Sequence, residues 1–199
     1  MALKQILGCL VILLSSLSMM SCSEPVDYTF GFSAEESNRF LLFTAKYDDY
    51  MNVPAGVIGC CLASGGASVS VFPDKYPKKG YFVWYDKISE SYYQATLKYP
   101  ENLKEIADKK LPDFYTVKDY KDIESKRPKR IYLITSITSK NEVITWLANA
   151  KMGASHIDRT IIELDRAKGE PFVPEFIKER QRKKAEEAKK NAEINEDVN

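Results

Sequence analysis

The side chains that could carry out nucleophilic chemistry are few in this chain of 199 residues. His156 is the only histidine, and no Gly-x-Ser-x-Gly elbow surrounds Ser64, so the sequence does not indicate a serine hydrolase. Cys61 and His156 remain one open nucleophile–base pair, because such partners meet in space rather than in sequence. A lone histidine in a strand is more often structural, and we interpret the chain as a non-enzyme that uses no cofactor.

Cys60 and Cys61 are the only adjacent cysteines, and they do not predict a metal site. No further cysteine and only one histidine could complete the four ligands of such a site. Neighbouring α-carbons lie ~3.8 Å apart across a trans peptide, whereas a relaxed disulfide prefers ~4.4–6.8 Å. We therefore expect one thiol in the core and one near the surface, with a strained vicinal disulfide as the alternative.

The N-terminal residues 1–21 have the pattern of a secretory signal peptide. Lys4 precedes an apolar run that ends at Leu14, and small polar residues follow it. The run is too short to span a bilayer stably, so we expect it to be removed rather than to remain as an anchor.

Cys22 ends a four-residue motif, Met19-Met20-Ser21-Cys22, that resembles a bacterial lipobox. The resemblance implies that Cys22 becomes the mature N-terminus, carrying a diacylglyceryl thioether and an acylated amine. Several buried acyl chains would anchor the protein durably. Ser23 in place of an aspartate implies transfer to the outer membrane, facing the periplasm. The alternative is an ordinary secreted protein in which Cys22 is incidental.

The balance of charge excludes one class of partner. Lysine and arginine number 29 against 28 aspartates and glutamates, so the basic excess typical of nucleic-acid binding is missing. Aromatic residues make up 12% of the chain, which favours a β-rich fold. No second apolar run approaches the length of a spanning helix.

These patterns predict a signal peptide over residues 1–21, a tether over 22–27, a β-rich domain over 28–173 and a charged tail over 174–199. The expected fold class is mainly β, an antiparallel β-sandwich-like sheet with one packed helix. The tail is rich in charged residues and has no apolar face that could dock it on the domain. This composition predicts a solvated helix. The alternative for the tail is a contact arm for a partner or for peptidoglycan.

Alternating and apolar runs place the expected elements along the domain. Strands are predicted at 28–33, 38–46, 67–72, 81–85, 91–99, 129–137 and 156–166. The apolar centre of 38–46 also fits a buried helix turn, but the β-rich setting favours a strand. The segment 139–153 fits a helix or a strand, and its β-branched residues favour a strand. A helix is predicted over 100–110, a surface loop over 113–128, and a hairpin turn at Gly65-Gly66 between 56–62 and 67–72.

The central hairpin is unusually rich in tyrosine and tryptophan, the residues that dominate binding hot spots. Alternation along its two strands must point some of these rings outward. We therefore predict a protein-binding face formed by Tyr85 and Tyr93 together with the loop Asp48-Asp49-Tyr50.

Several segments together resemble a group of small bacterial lipoproteins of unassigned domain function. Some relatives in that group are immunity proteins against type VI secretion phospholipase effectors. The resemblance implies that a lipid-anchored protein binds a lipase effector and occludes its active site. The rival interpretation is an envelope structural or ligand-binding lipoprotein without a toxin partner. The segments that carry the resemblance are Tyr28-Thr29-Phe30-Gly31-Phe32, Gly59-Cys60-Cys61 before Gly65-Gly66, Val83-Trp84-Tyr85, Tyr92-Tyr93-Gln94-Ala95 and Glu142-Val143-Ile144-Thr145-Trp146-Leu147.

Overall fold

The computed structural model describes residues 27–54, 56–71, 73, 75–152 and 158–196. The predicted signal peptide, Cys22 and His156 lie outside the described residues. The strands are β1 (Tyr28–Ala34), β2 (Phe40–Tyr47), β3 (Met51–Asn52), β4 (Ala67–Val71), β5 (Lys79–Asp86), β6 (Ser91–Lys98), β7 (Phe114–Lys118), β8 (Glu124–Pro128), β9 (Ile131–Ile137), β10 (Glu142–Ala148), β11 (Ile161–Lys168) and β12 (Glu170–Pro171). The helices are α1 (Leu103–Lys110) and α2 (Glu175–Glu196).

Two five-stranded sheets form the body of the protein, which confirms the predicted mainly β, sandwich-like class. Sheet 1 has the strand order β11-β10-β9-β1-β4, and sheet 2 has the order β12-β6-β5-β2-β3. Large side chains of both sheets meet in one buried cluster that includes Phe30, Leu133, Phe82 and Leu97. Apart from the parallel pair β1–β9, all strand pairs are antiparallel.

Strand β1 lies inside sheet 1 and is buried along its whole length. It pairs with β9 on one side and with β4 on the other. Phe30 and Phe32 belong to the shared core, while Gly31 lies on the opposite face against Gly65 and Ile134. A strand covered on both faces has little room for polar side chains, which is consistent with its aromatic and small-residue sequence.

Helix α1 confirms the predicted packed helix, although it begins three residues later than the expected start at Pro100. Asn102 is its N-cap residue, and Leu103 and Ala107 are buried one turn apart on the same face. Both residues, together with Leu111, join the main core. These apolar residues recur at helical spacing, which places them on the one face that the helix buries.

Two sequence-based predictions about loops are wrong. The segment 113–128, expected to be a surface loop, contains the two-stranded hairpin β7–β8, which joins neither large sheet. The hairpin expected at Gly65-Gly66 does not form, because 56–62 contains no strand and β4 pairs with β1 instead. Both errors concern pairing partners, which local alternation does not specify.

A buried ion pair in sheet 2 is hydrogen-bonded to the β9–β10 turn of sheet 1 at one end of the sandwich. Arg39 donates two hydrogen bonds of 2.9 Å to the carboxylate of Asp86, which is fully buried. Asn141, in the turn between β9 and β10, donates to the same carboxylate and accepts from the indole of Trp84. The guanidinium of Arg39 holds the pKa of Asp86 well below its usual range. We call these four residues the seam.

Candidate binding face

A β-bulge in β2 exposes an aromatic ring on the outer face of sheet 2. The register between β2 and β5 shifts between Leu42 and Thr44, so Phe43 is the extra residue. Leu42 before the bulge and Ala45 after it both belong to the core. Bulges re-aim side chains in this way, and Phe43 is 43% exposed.

Phe43 belongs to a group of four rings that we call the aromatic cluster: Phe43, Tyr85, Tyr92 and Phe176. The Tyr85 and Tyr92 rings, directly opposite each other on β5 and β6, have centroids 4.8 Å apart. Phe43 lies 5.5 Å from Tyr92 and 5.9 Å from Phe176. Rings at such separations stabilise one another, so the cluster is a preformed apolar surface.

The first turn of α2 completes this surface. Phe172, just before the helix, donates a backbone hydrogen bond to Tyr92, and Phe176, the second residue of α2, has 49% of its surface exposed. The prediction that the tail has no apolar face to dock is therefore wrong for its first turn. Every residue of α2 from Lys178 to Lys189 is exposed, as expected for a solvated charged helix.

A groove of about 440 Å³ adjoins the aromatic cluster. Tyr85 and Tyr92 from the sheet and Phe172 and Ile177 from the C-terminal segment are among the residues that line it. Its size falls within the range of small-ligand sites. The outer face of sheet 2 thus offers both exposed rings and a concave surface beside them.

Tyr85 and Tyr93, which the sequence predicted to share one face, lie on opposite faces of the sheet. Tyr93 pairs directly with Trp84, and their rings stack at 5.9 Å. Tyr93 therefore packs against the buried core. Tyr92, which pairs with Tyr85, takes the outward position instead.

The predicted loop Asp48-Asp49-Tyr50 lies at the other end of sheet 2. The backbone N–H of Asp48 donates to the carbonyl of Lys79, at the start of β5. Six residues of strand separate Lys79 from Tyr85, which corresponds to about 20 Å. The structure therefore does not bring this loop and Tyr85 into one face.

The two aspartates of that loop form local contacts. The Asp48 carboxylate accepts the backbone N–H groups of Lys78 and Lys79, and Asp49 forms a 2.9 Å ion pair with Lys79. The hydrogen bond from Lys79 lowers the pKa of Asp49. These side chains surround a cavity of about 590 Å³ that we call the lysine basin, with Lys75, Lys78, Lys79 and Lys98 in its lining.

Cys60 and Cys61 are both exposed, so the expectation of one buried thiol is wrong. A hydrogen bond from the Cys61 thiol, and a second with Ser37, lower the pKa of Cys60, whereas the same pairing raises the pKa of Cys61. The vicinal disulfide stays a prediction. Ser64 is buried and its hydroxyl donates to the carbonyl of Cys60, which is a structural role.

The outer face of sheet 1 is covered, unlike that of sheet 2. Ala63 packs against Ile144 and Trp146, and Leu62 contacts the same group. Arg159 donates to the carbonyl of Ala63, and the backbone N–H of Ala63 donates to the hydroxyl oxygen of Ser136 at 3.0 Å. The segment 61–66 therefore closes this face with backbone and small side chains.

Comparisons with known proteins add no assignment. Scans against family models, curated proteins and solved structures found no match to the chain. Within the described residues, no three His, Cys, Asp or Glu side chains lie close enough to hold a metal ion. None of the helices in that part of the chain is long and apolar enough to cross a membrane.

Sequence reasoning missed Phe43 and Phe176 as members of the exposed surface. Phe43 lies in an unbroken apolar run, where no alternation identifies the outward residue. Phe176 stands at the start of a charged helix, where a single aromatic residue among charges was the available signal. The tyrosine-rich hairpin pointed to the correct sheet, but it did not distinguish Tyr92 from Tyr93.

Proposed function

We propose that this chain is a lipid-anchored, periplasm-facing binding protein, and that the aromatic cluster on sheet 2 engages a protein partner. The observation that carries the proposal is the exposure of preformed aromatic rings on a folded surface. Phenylalanine and tyrosine rings bury large apolar area at low cost in side-chain entropy, which is why aromatic residues are enriched in interfaces.

The partner we propose is a secreted lipase effector that attacks membrane phospholipid. A phospholipase must admit acyl chains, so the opening of its active site is apolar, and half-exposed rings such as Phe43 and Phe176 would cover it. The resemblance of several segments to lipoproteins with immunity members supports this choice. Attachment through Cys22 would hold the inhibitor at the surface where the lipase acts, which raises its effective concentration.

The immunity test is co-expression with a periplasm-directed phospholipase effector. We expect the unaltered chain to prevent lysis and Phe43→Ser combined with Tyr92→Ala to lose most of that protection. Ile161→Ala is the matched control, because Ile161 is also 43% exposed but lies on sheet 1. Continued lysis with the unaltered, expressed chain would exclude immunity against that effector.

The anchor has a separate test. Cys22→Ala should move the protein from the salt-washed membrane fraction to the soluble periplasmic fraction, because the thioether-linked chains would be missing. A Cys22→Ala variant that stays with membranes at high salt in the absence of detergent would contradict the anchor. Cys60→Ala serves as the control, since it removes a cysteine without touching the lipobox.

The groove beside the cluster favours one alternative, an envelope lipoprotein that binds a small ligand. Its volume of about 440 Å³ and its walls of Tyr85, Tyr92, Phe172 and Ile177 suit an apolar molecule. The two functions differ in one measurement. Ile177→Trp would fill the groove and abolish ligand binding, whereas a large protein interface would lose much less affinity.

A further inference from the structure

The start of β1 shows where the proposed anchor would leave the domain. Tyr28 pairs with Ile131, the first residue of β9, so Asp27 lies beside Arg130 at this end of the sandwich. Cys22 lies five positions before Asp27, and a fully extended chain over five positions spans at most ~18 Å. If Cys22 carries lipid, this end must stay close to the bilayer.

The hairpin β7–β8 is attached at the same end. Only Lys129 and Arg130 separate the end of β8 from the start of β9. An ion pair of 2.8 Å between Asp113 and Lys129 joins the two residues that flank the hairpin. Thr116 of β7 is further fixed by its hydrogen bonds to the carboxylate of Asp158. The hairpin is therefore held at its base.

The turn of the hairpin exposes apolar side chains. Tyr120 is 90% exposed and Ile123 is 59% exposed. The Asp119 carboxylate accepts the backbone N–H groups of Lys121 and Ile123, which satisfies polar groups of the turn internally. A turn with its own hydrogen bonds formed can approach an apolar environment at a lower desolvation cost.

The hairpin segment 113–130 also carries six basic side chains against four acidic ones. Asp113 is paired with Lys129, and Asp122 forms an ion pair with Lys118. Arg127 and Arg130 line a groove of about 650 Å³ and have no carboxylate partner in the described part of the chain. Guanidinium groups in such a position match phosphate oxygens.

The lysine basin lies at this end as well. The hydroxyl of Tyr28 donates to the carbonyl of Lys75, whose side chain lines the basin, and the ring of Tyr28 stacks on Tyr76. The aromatic cluster, in contrast, contains Tyr85 at the far end of β5. One end of the sandwich thus combines the chain exit, exposed cations and an amphipathic turn.

We propose that the β7–β8 hairpin is a second membrane contact, with Tyr120 and Ile123 in the interfacial layer and Arg127 and Arg130 on lipid phosphates. The inference rests on the proposed anchor at Cys22. Tyrosine is favoured at the level of lipid headgroups, and basic side chains are attracted to anionic lipid. This contact would orient the domain so that the aromatic cluster faces away from the bilayer.

The test places a reporter in the turn. Y120W in the lipid-anchored protein is reconstituted into vesicles of phosphatidylethanolamine with a minority of phosphatidylglycerol, with or without brominated acyl chains. We expect a blue-shifted emission that the brominated chains quench. F176W is the matched control, and its emission should be unaffected because that residue belongs to the aromatic cluster. The buried Trp84 and Trp146 provide a constant background.

The contribution of the basic side chains is tested separately with the mature chain carrying Cys22→Ala, in which any vesicle binding must occur without the lipid anchor. We expect salt-sensitive binding that R127Q and R130Q each weaken about fivefold. Unquenched Y120W emission in a protein that remains anchored would overturn the hairpin contact and leave the anchor standing. Failure of the unaltered protein to remain with membranes would overturn the anchor, while the Cys22→Ala measurement would still decide the hairpin. Binding of the hairpin to a protein, with no vesicle binding, would also overturn the inference.

Discussion

The outer faces of the two sheets differ in how they are covered. On sheet 1, the segment 61–66 packs onto Ile144 and Trp146, so large side chains there are buried. On sheet 2, the short segment from Phe172 to the first turn of α2 contacts the aromatic cluster, and Phe43 and Phe176 remain about half exposed. Similar apolar side chains thus serve stability on one face and are available for binding on the other.

The difference arises from chain connections rather than from composition. The segment 61–66 crosses the outer face of sheet 1. Gly65 lets the backbone of this segment lie directly on Gly31 of β1. A Cβ on Gly31 would come within 2.8 Å of the Cα of Gly65. Sheet 2 receives a helix whose remaining turns are charged, so its apolar cover ends after Phe176 and Ile177.

The first prediction compares one aromatic residue from each face. Trp146→Ala should lower the free energy of unfolding by about 3–5 kcal/mol, because it leaves a cavity under the covered face. Phe43→Ala should lower it by less than about 1 kcal/mol, since the ring is already partly in water. Urea denaturation of both variants measures the two values. Equal losses would mean that the two faces do not differ in the way described.

The second prediction concerns the seam, which links β5 of sheet 2 to the β9–β10 turn of sheet 1. Asp86→Asn should cost about 3 kcal/mol, because Arg39 would be left buried opposite a neutral side chain. Urea denaturation should show a lower midpoint with an unchanged m-value. Glu36→Gln is the control: Glu36 also pairs with Arg39 but is largely exposed, so its loss should cost under about 1 kcal/mol. A loss of stability in Glu36→Gln as large as that in Asp86→Asn would contradict the conclusion that the buried carboxylate of Asp86 is the important partner of Arg39.

The seam also predicts a pH dependence of stability. The pKa of Asp86 is lowered in the folded protein by Arg39, while the unfolded chain should have an ordinary value near ~3.9. Its contribution is therefore present above pH ~4 and is lost as the pH falls from there toward the folded pKa. Urea midpoints measured from neutral to acid pH should fall more steeply for the unaltered protein than for Asp86→Asn. If the urea midpoints of the two proteins fall in parallel with pH, Asp86 is excluded as the source of the pH dependence.

The smallest stability effect tests the close cover of sheet 1. Gly31→Ala should cost about 1–3 kcal/mol, because the new methyl group meets the backbone of Gly65. Gly59→Ala is the matched control, since no atom lies within 4 Å of the added Cβ. Thermal unfolding of the two variants gives the comparison. A neutral Gly31→Ala would show that segment 61–66 can move away from the strands.

Sequence patterns predicted most strands and the packed helix, because alternation and helical spacing are local properties. They did not predict which strands pair. The segment 56–62 is small and apolar like a buried strand, but it forms no strand and leads into the cover of sheet 1. Strand β4 instead pairs with β1, although 32 residues lie between Ala34 and Ala67. Such long-range pairing depends on the packing of the whole core, and a short stretch of sequence does not contain that information.

The candidate site was predicted only in part, for the same reason. Tyrosine content identified the central hairpin, and Tyr85 lies on the exposed face as expected. The bulge at Phe43 and the docking of Phe176 depend on register and on contacts between distant segments. The charged loop Asp48-Asp49-Tyr50 is distant from Tyr85 both in the sequence and in the structure. The prediction that this loop and the aromatic residues form one face therefore had no geometric basis.

The position of β1 has a mechanical consequence. The strand is hydrogen-bonded to β9 on one side and to β4 on the other, and the chain enters it directly from Asp27. A pull along the strand axis at Asp27 would load both ladders in shear, so many hydrogen bonds would share the force at once. A peripheral strand pulled away sideways would instead lose its bonds one after another. The domain is therefore built to withstand tension at the point where a tether would apply it.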